Sequence, residues 1–261
     1  MMMDSVYQHY RKDEIPFIDH FSELIEQAGN EYRPVLTEFL DPRQVFIAKQ
    51  LVGTHSEVTT FTDGGYSDAE RSRLIVAPSY FEPKQADFEL SLIAIHYPEK
   101  FAALTHSTIL GTLANSGVRR DVFGDIITDG GHWQFYVSTS MVSWVLENIT
   151  KIGRVGVRLE EVPLDAHVLP ISEWETSETT VSSLRLDTVV AHVYNISRQR
   201  AKTLIQGEKV RLNFQVNSQP DTMLAEQDTV SVRGFGRILL TQVLGTTKKD
   251  KLRISVNVLT S

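Results

Sequence analysis

The sequence predicts an α+β protein built from three domains. Three observations support this class: helical periodicity near the amino terminus, alternating strands and helices in the middle, and two short helices followed by alternating strands near the carboxyl end. A chain of 261 residues is long enough for two or three domains of ordinary size. The predicted divisions are an N-terminal domain, a central domain, a linker and a C-terminal domain, at residues 1–83, 84–165, 166–183 and 184–261.

The amino-terminal segment, up to about residue 50, has the apolar spacing of helices. One helical face carries four apolar side chains, Phe17, Phe21, Leu24 and Ile25. A second helical segment is predicted from Val35 to Leu40. Asp41 and Pro42 mark the start of another helix, because proline is favoured in a first helical turn.

Two strands are predicted next, at residues 58–62 and 73–77. Between them, the run Gly64-Gly65-Tyr66 could in principle cradle a phosphate. It lacks the Lys-Ser or Lys-Thr pair that a Walker-type loop requires. The favoured interpretation is a turn that carries a buried tyrosine.

The central segment has the order βαββαβ. This order is typical of a ferredoxin-like split unit, which RNA-recognition motifs share with many domains unrelated to RNA. Order alone therefore does not assign a function. The predicted elements are a strand at 89–96, a helix at 107–116, strands at 125–128 and 132–138, a helix at 141–152 and a strand at 155–162.

The third of these strands is a candidate base-stacking surface. Its apolar residues Trp133, Phe135 and Val137 alternate with polar ones, so they are predicted to face the core. Tyr136 is then the one stacking candidate on the other face, and the Lys/Arg-Gly-aromatic signature of an RNA-recognition motif is missing. Base stacking by this sheet is not favoured.

A loop in the central segment places Arg119 and Arg120 just before the turn Gly124-Asp125. Two arginines in an acidic domain have two interpretations. They form a secondary RNA contact, or they pair with carboxylates of their own domain.

The carboxyl-terminal segment begins with two short helices. Ser197 is a predicted N-cap and Gly207 a predicted end of the second helix. Strands are predicted at 209–213 and 229–233. One face of the first helix carries Leu186, Val189, Val190 and Val193.

Charge is segregated along the chain, whose net charge is −7. Residues 184–261 contain 12 Lys or Arg and 6 Asp or Glu, a net charge of +6, whereas the other 183 residues contain 14 and 27, a net charge of −13. A basic domain attached to an acidic body indicates phosphate binding by one part of the protein.

A set of spaced residues in the basic segment forms a recognisable signature: Arg185-Leu186-Asp187, Ser197-Arg198, Ala201 and Lys202, Leu204-Ile205-x-Gly207, Asn213, Asp228 and Arg233-Gly234-x-Gly236-Arg237. This set resembles the S-four domain, an RNA-binding module first described in a small-subunit ribosomal protein. The resemblance implies the alpha-L fold of that family. One departure is Phe214, where the family usually has glycine, so the turn after Asn213 is expected to be longer or differently shaped.

Positive and hydrogen-bonding side chains of this segment form the predicted RNA site. The cations are expected to track the phosphates of a structured RNA, recognising shape more than sequence. Asp187 is expected to complement its helix dipole or to steady Arg185. The site comprises Arg185, Asp187, Ser197, Arg198, Gln199, Arg200, Lys202, Lys209, Arg211, Asn213, Arg233 and Arg237.

The whole chain resembles the YlmH family of bacterial S-four proteins. Besides the S-four signature, the resemblance rests on Gly64-Gly65-Tyr66, Ala69-Glu70-Arg71, Arg119-Arg120 and Gly124-Asp125-Ile126. It implies binding to ribosomal RNA or tRNA on an obstructed large ribosomal subunit that carries peptidyl-tRNA, in ribosome-associated quality control. It also implies a link to a cell-division gene neighbourhood, and hence to cell-division proteins as partners.

Several kinds of chemistry are not indicated by the sequence. Cysteine is absent, which excludes disulfides and thiolate nucleophiles. The closest two of the eight histidines are His96 and His106, so no closely spaced pair of metal ligands exists. There is no Gly-x-Ser-x-Gly turn and no glycine-rich loop for a dinucleotide. We expect a non-enzymatic protein without catalytic residues, metal or cofactor.

The expected location is the cytoplasm. No apolar run approaches the ~20 residues that span a bilayer. The amino terminus lacks the basic and apolar segments of a signal peptide. The lack of cysteine fits a reducing compartment.

Two other functions stay open, and the first is an RNA-modifying enzyme such as a pseudouridine synthase. Arg185-Leu186-Asp187 is similar to the catalytic motif of pseudouridine synthases, many of which carry an S-four domain. That motif continues into a Thr-x-Gly-Leu-like turn, whereas Thr188 to Ala191 continues a helix here. The other alternative is a protein-interaction adaptor in cell division, in which the acidic domains bind a partner.

Overall fold

The computed structural model describes residues 10–53, 57–171, 174–247 and 249–260. The chain forms two compact units, Met1–Ile171 (unit one) and Ser172–Ser261 (unit two). Within the described ranges, no helix is both long and apolar enough to cross a membrane.

The first part of unit one packs two helices against a three-stranded antiparallel sheet with the strand order β1-β3-β2. Apolar side chains of both helices and of the central strand, among them Phe21, Ile47 and Leu74, form its core. The elements are α1 (Ile15–Glu31), β1 (Val35–Leu40), α2 (Pro42–Val52), β2 (Val58–Asp63) and β3 (Ser72–Pro78).

The predicted helical segment from Val35 to Leu40 is wrong, because these residues form strand β1. They pair with β3, with a register shift between Leu36 and Phe39. Val35 and Leu40 pack in the core of the first part, whereas Phe39 packs with Tyr136 of the central sheet. The predicted helix start is confirmed. The Asp41 side chain accepts a hydrogen bond of 2.8 Å from the backbone N–H of Gln44, which ends the strand and begins α2.

The central part of unit one confirms the βαββαβ order. Its four main strands form an antiparallel sheet in the order β5-β6-β4-β9. Helix α4 ends earlier than predicted, and a two-residue ribbon follows, closed by a turn in which Gly153 has a φ of +58°. The elements are β4 (Leu90–His96), α3 (His106–Ala114), β5 (Phe123–Thr128), β6 (Trp133–Ser138), α4 (Val142–Asn148), β7 (Lys151–Ile152), β8 (Val155–Gly156) and β9 (Arg158–Val162).

Both faces of the central sheet are covered. Phe135 and Val137 face α3 and α4, as predicted. On the other face, Tyr136 has no exposed surface and packs with Phe39 and Ile75 of the first part of unit one. Tyr136 is therefore not available for base stacking, and the sheet face that RNA-recognition motifs use is closed.

The start of the predicted linker also packs on this face. The Gln134 side-chain amide donates to the backbone oxygen of Ala166 at 3.0 Å, and its oxygen accepts from the backbone N–H of Val168 at 2.8 Å. A pair of hydrogen bonds to one amide fixes the segment in place. Residues 166–168 thus belong to the folded part of unit one.

The Gly64-Gly65-Tyr66 turn joins the two parts of unit one. The predicted turn is confirmed, but its tyrosine is half-buried rather than buried. The Tyr66 ring stacks on Tyr136 with 5.8 Å between ring centroids. Its hydroxyl donates to Asp125 at 2.8 Å. A Cβ atom on Gly65 would lie 2.1 Å from Cε1 of Tyr136, so this close approach requires glycine.

Asp125 is the polar centre of the same contact. Its carboxylate also accepts backbone N–H groups of Glu70 at 2.7 Å and Arg71 at 3.1 Å. Burial and the nearby charge of Glu70 raise the pKa of Asp125 to about 6, although the hydrogen bonds from Tyr66 and the two backbone groups favour the charged form. The two parts of unit one therefore share a carboxylate that titrates near neutral pH.

Unit one is expected to become more stable as the pH falls from 7 to 5. The folded pKa of Asp125 exceeds the unfolded value, so protonation favours the folded form, and this stabilisation is lost as the pH rises through about 6. The gain in free energy of unfolding is about 1 kcal/mol over this range. Urea unfolding at pH 5, 6 and 7 measures it. With Trp174 replaced by Phe, the fluorescence comes from Trp133 and Trp144 of unit one alone.

The matched control for this prediction is Asp125→Asn in the same Trp174→Phe background. The amide cannot ionise, so the variant should lack the pH-dependent gain whatever its absolute stability. An equal gain in both proteins would assign the pH dependence to other groups.

Unit two packs two helices on one face of a six-stranded antiparallel sheet. The strand order is β10-β15-β14-β13-β11-β12. The predicted face of the first helix is confirmed, since Leu186, Val189 and Val190 are fully buried and Val193 packs beside them. The elements are β10 (Glu175–Val181), α5 (Leu186–Val193), α6 (Arg198–Gln206), β11 (Val210–Leu212), β12 (Gln215–Val216), β13 (Thr229–Val232), β14 (Gly236–Thr246) and β15 (Leu252–Thr260).

The predicted linker is wrong for the residues that form β10. All seven pair with β15, from Glu175 opposite Val258 to Val181 opposite Leu252. Only Val181 is fully buried, so the strand lacks the apolar alternation that sequence analysis detects. Threonines favour the extended conformation, and two glutamates suit a strand at the sheet edge.

Candidate nucleic-acid interface

A buried carboxylate organises the start of α5 and α6. Asp187 has no exposed surface and accepts hydrogen bonds from Nε and Nη2 of Arg185 at 3.1 and 3.2 Å. It also accepts from Nε and Nη2 of Arg198 at 3.1 and 3.3 Å. The side chains of Arg185 and Arg198 remain 33% and 51% exposed. One carboxylate thus holds two guanidinium groups in fixed positions at the surface.

Asp187 supports this surface and does not form part of it. Its complete burial rules out direct contact with RNA in this conformation, while the expected role of steadying Arg185 is confirmed. Burial alone would raise the pKa of Asp187, but hydrogen bonds from Arg185 and Arg198 hold it below its usual value. With Asp187 ionised, the three groups carry a net charge of +1.

Helix α6 presents further polar side chains next to Arg198. Ser197 is its N-cap, as predicted, and its hydroxyl accepts from the backbone N–H of Arg200 at 3.1 Å. Gln199 and Arg200 are exposed, and Lys202 is half-buried. Among the residues that the structure describes, neither Arg200 nor Lys202 forms an ion pair. Both cations are therefore free to meet phosphates.

The cations of the strands lie on the opposite face of the sheet. Val210 and Leu212 point into the core against the helices, so Lys209 and Arg211 point the other way. Across the neighbouring strands, Arg211 lies opposite Ser231, and Ser231 lies opposite Arg237. The backbone N–H of Arg233 donates to the oxygen of Lys209 at 2.9 Å. The predicted site is thus divided into a helix-side set and a sheet-side set.

The turn between β13 and β14 connects these two sets. Phe235 lies at its tip and contacts the Tyr194 ring at 5.2 Å between centroids. The Arg200 guanidinium lies 5.4 Å from the same Phe235 ring. On the sheet side, Arg237 lies 5.5 Å from the Trp174 ring. The basic residues therefore wrap around one end of the sheet.

Sequence reasoning missed Phe235 and Trp174 as parts of this surface. Phe235 occupies the variable position of the Gly-x-Gly turn, and its aromatic character was the available signal. Trp174 fell within the predicted linker. A single tryptophan in a polar segment is the signal that could have identified it.

Asn213 has a structural position. Its side-chain nitrogen donates to the buried Asp228 at 2.8 Å, and its side-chain oxygen accepts the backbone N–H of Thr229 at 2.9 Å. These bonds engage both ends of the amide and give Asn213 a structural role, and its hydrogen bond to RNA stays a prediction. Asp228, at a position that sequence analysis left without a role, anchors the turn.

The turn after Asn213 is tight. Arg211 pairs with Val216 and Leu212 with Gln215, which leaves two turn residues. Asn213 and Phe214 have φ values of +46° and +68°, as in a type I′ turn. Of the two expected alternatives, a longer turn is therefore wrong, and a differently shaped turn stays a prediction. Phe214 instead adopts the left-handed conformation that glycine would adopt more easily.

Arg119 and Arg120, the predicted secondary RNA contact in unit one, have different roles. Arg119 is exposed and forms an ion pair with Asp121, which is the second of the two interpretations. Arg120 is half-buried and donates to the backbone oxygens of Phe123 at 2.5 Å and Gly124 at 3.3 Å. Burial, followed by the charge of Arg71, lowers the pKa of Arg120 to about 10. Arg120 therefore stabilises the loop rather than presenting its charge to solvent.

No metal-binding arrangement is visible in the described ranges. Groups of three or more His, Asp or Glu side chains placed to hold an ion do not occur there. The side chains of the candidate interface that reach the surface carry guanidinium, ammonium, hydroxyl and amide groups, and aromatic rings lie beside two of the arginines. Such groups suit phosphate and base contacts.

Two family models match consecutive segments of this chain. A family model described as "YlmH, N-terminal" matches residues 13–81, and one described as "Putative RNA-binding domain in YlmH" matches residues 83–166. A relative from Bacillus subtilis (strain 168), the "Ribosome-associated protein quality control protein P2", is 40% identical over 253 residues, which are 97% of this chain and 98% of the relative.

A solved structure is similar as well. It is described as "Cell division protein ylmH from Streptococcus pneumoniae" and has 37% sequence identity and a TM-score of 0.52. The match covers 61% of this chain and 96% of that one. Together with two family models that span more than half of the chain and a relative aligned over nearly all of it, this shows that the chain belongs to the YlmH family.

Proposed function

We propose that this protein is a ribosome-associated, non-enzymatic RNA-binding protein of the cytoplasm. The observation that carries the proposal is the pair of arginines fixed by buried Asp187 beside the unpaired cations of α6. These groups lie in a segment of net charge +6, attached to a body of net charge −13. The basic segment then meets phosphate while the acidic body limits indiscriminate RNA contact.

The proposed binding module is the C-terminal part of the three-domain layout, an S-four domain at 184–261. Its direct contacts are Arg185, Arg198, Arg200 and Lys202 on the helix side, and Lys209, Arg211, Arg233 and Arg237 on the sheet side. Gln199 and the Ser197 backbone add polar contacts. Neutralisation of about six phosphates would lower the affinity by roughly three decades between low and moderate salt.

The proposed target is ribosomal RNA or tRNA on the large ribosomal subunit, in ribosome-associated quality control. Support comes from the name of the Bacillus relative, which aligns with almost the entire chain. A fixed arginine pair suits the sugar-phosphate surface of a folded RNA, whose shape a rigid protein surface can match.

Pseudouridine synthase activity is not part of this proposal. A catalytic aspartate must reach the target base, whereas Asp187 is fully buried and bonded to two guanidinium groups. In this conformation the carboxylate is not accessible to a substrate. The geometry favours a supporting role for the residue.

A second candidate function is that of an adaptor in cell division. It is favoured by the description of the Streptococcus structure, which matches 61% of this chain. The acidic body would then bind a division protein. Capture of such a protein by the full chain after ribonuclease treatment tests this candidate, and loss of capture with the RNA removed counts against it.

Co-sedimentation with purified ribosomal subunits tests the first proposal. The full-length protein is expected to sediment with the large subunit at low salt, to bind the small subunit more weakly, and to be released from both as the salt concentration rises. Equal recovery with both subunits would contradict the assignment to the large subunit. Absence of binding to either would contradict the ribosomal function itself.

A further inference from the structure

A cleft in unit two lies between the junction of α5 and α6 and the tip of the hairpin formed by β14 and β15. Its volume is about 470 Å³, within the usual range for sites that hold one small ligand. None of its lining residues is acidic. Arg198 of α6 and Lys251 of the hairpin contribute positive charge from two separate elements.

Arg198 is held in place where it lines this cleft. Its Nε and Nη2 donate to Asp187. The third guanidinium nitrogen, Nη1, takes no part in these two bonds. Lys251 is exposed, and its backbone N–H donates to Oγ1 of Thr247 at 3.2 Å, which fixes the end of the hairpin loop. A guanidinium held by a carboxylate and an exposed ammonium that line one cleft suit a phosphate group.

The rest of the lining suits the other parts of a nucleotide. Ala191 and Ile196, which are both half-buried, supply apolar surface on which a base or ribose can lie. Asn195 follows α5 with a φ of +49° and has an exposed amide. The His192 ring is positioned by a contact of 2.6 Å between its Nε2 and Oγ1 of Thr179. Amide and imidazole groups can both bond to a base edge.

We propose that this cleft binds a single unstacked nucleotide of the RNA, with the phosphate between Arg198 and Lys251. The inference rests on the proposed RNA-binding function and extends it, because it specifies a bulged or single-stranded nucleotide next to the helical contacts. Proteins that recognise RNA commonly bind nucleotides that are free of base pairing, because their edges are accessible.

Two labelled RNA hairpins test this site with the full-length protein. One hairpin carries a single bulged nucleotide and the other is fully paired but otherwise identical. Fluorescence anisotropy is expected to show about tenfold tighter binding of the bulged hairpin, as for one additional charge-assisted contact. Competition with nucleoside monophosphates and with inorganic phosphate separates a general mononucleotide site from one that requires RNA.

Lys251→Ala is the decisive variant, and Lys249→Ala is its matched control. Both lysines are exposed in the same hairpin loop, but only Lys251 lines the cleft. Lys251→Ala should remove the preference for the bulged hairpin, and Lys249→Ala should keep it. Asn195→Gly should also reduce the preference for the bulged hairpin. This change removes the amide side chain, and glycine readily adopts the positive φ of this position.

The outcomes separate this site from the general RNA-binding function. Equal affinity of the wild-type protein for both hairpins, or a preference that survives Lys251→Ala, would overturn the nucleotide site and leave the proposed function intact. Failure to bind either hairpin would count against both proposals. Competition by inorganic phosphate as strong as that by nucleotides would reduce the cleft to a simple anion site and overturn the assignment.

Discussion

Gly65→Ala is expected to lower the free energy of unfolding of unit one by about 3 kcal/mol or more. The new Cβ would lie 2.1 Å from Cε1 of Tyr136, whose ring is fully buried and has no space to move. The φ of Gly65 is +95°, so alanine would also be strained in its backbone. Urea unfolding in the Trp174→Phe background measures the loss through Trp133 and Trp144.

Gly117→Ala is the matched control for this substitution. Gly117 has a similar φ of +86°, but a Cβ there would meet nothing within 4 Å. Gly117→Ala should therefore lower the free energy of unfolding by only about 1 kcal/mol, from backbone strain alone. Equal losses at the two positions would contradict the close packing of the Gly65 turn on Tyr136.

This packing matters for function because it closes the central sheet. The contact between Tyr66, Tyr136 and Asp125 holds the first part of unit one over the sheet face that an RNA-recognition motif would use. Because this face is covered, RNA contacts are expected on other surfaces. The basic end of unit two offers such a surface, because Arg200 and Lys202 of α6 form no ion pair with any residue that the structure describes.

Arg200→Gln combined with Lys202→Gln is expected to weaken binding to the large ribosomal subunit by roughly ten- to a hundredfold. Both side chains lie on α6, and neither has a carboxylate partner among the described residues, so their charge is available to RNA. Glutamine keeps the helix propensity. Titration of labelled protein with purified subunits measures the change.

A charge-matched control is available in unit one. Lys100→Gln combined with Lys151→Gln removes two exposed cations from the acidic body and changes the net charge by the same amount. Its affinity for the subunit should change less than threefold, as is usual for remote surface charges. Thermal unfolding of both variants shows whether either substitution disturbs the fold. A similar loss in both would assign the effect to net charge alone.

Features with local causes could be predicted from the sequence. Ser197 caps α6, Gly207 follows its last turn, and Asp41 with Pro42 begins α2, because each depends on residues within one helical turn. The alternation around Arg211 placed it correctly on the face away from the core. Short-range rules were sufficient in these cases.

Two strands could not be predicted from local patterns. Val35–Leu40 is apolar enough for a buried helix or a buried strand, and pairing with β3 decides between them. Glu175–Val181 is polar on both faces, and its strand exists because β15 offers an edge more than 70 residues away in sequence. Pairing partners at that distance leave no periodic signal.

Within the candidate interface, the sequence indicated residue types better than their roles. The cations were predicted from charge and spacing. The sequence could not show that Asp187 is shared by two arginines, or that Asn213 uses both ends of its amide on the turn. Such assignments depend on distances between residues that only the folded chain brings together.

The salt dependence of large-subunit binding tests the central claim most directly. The logarithm of the affinity should fall linearly with the logarithm of the salt concentration. The magnitude of this negative slope should be about 1.5 less for Arg200→Gln combined with Lys202→Gln than for the wild-type protein, because two phosphate contacts are lost. An unchanged slope in this variant would contradict the claim that α6 of unit two binds RNA phosphates.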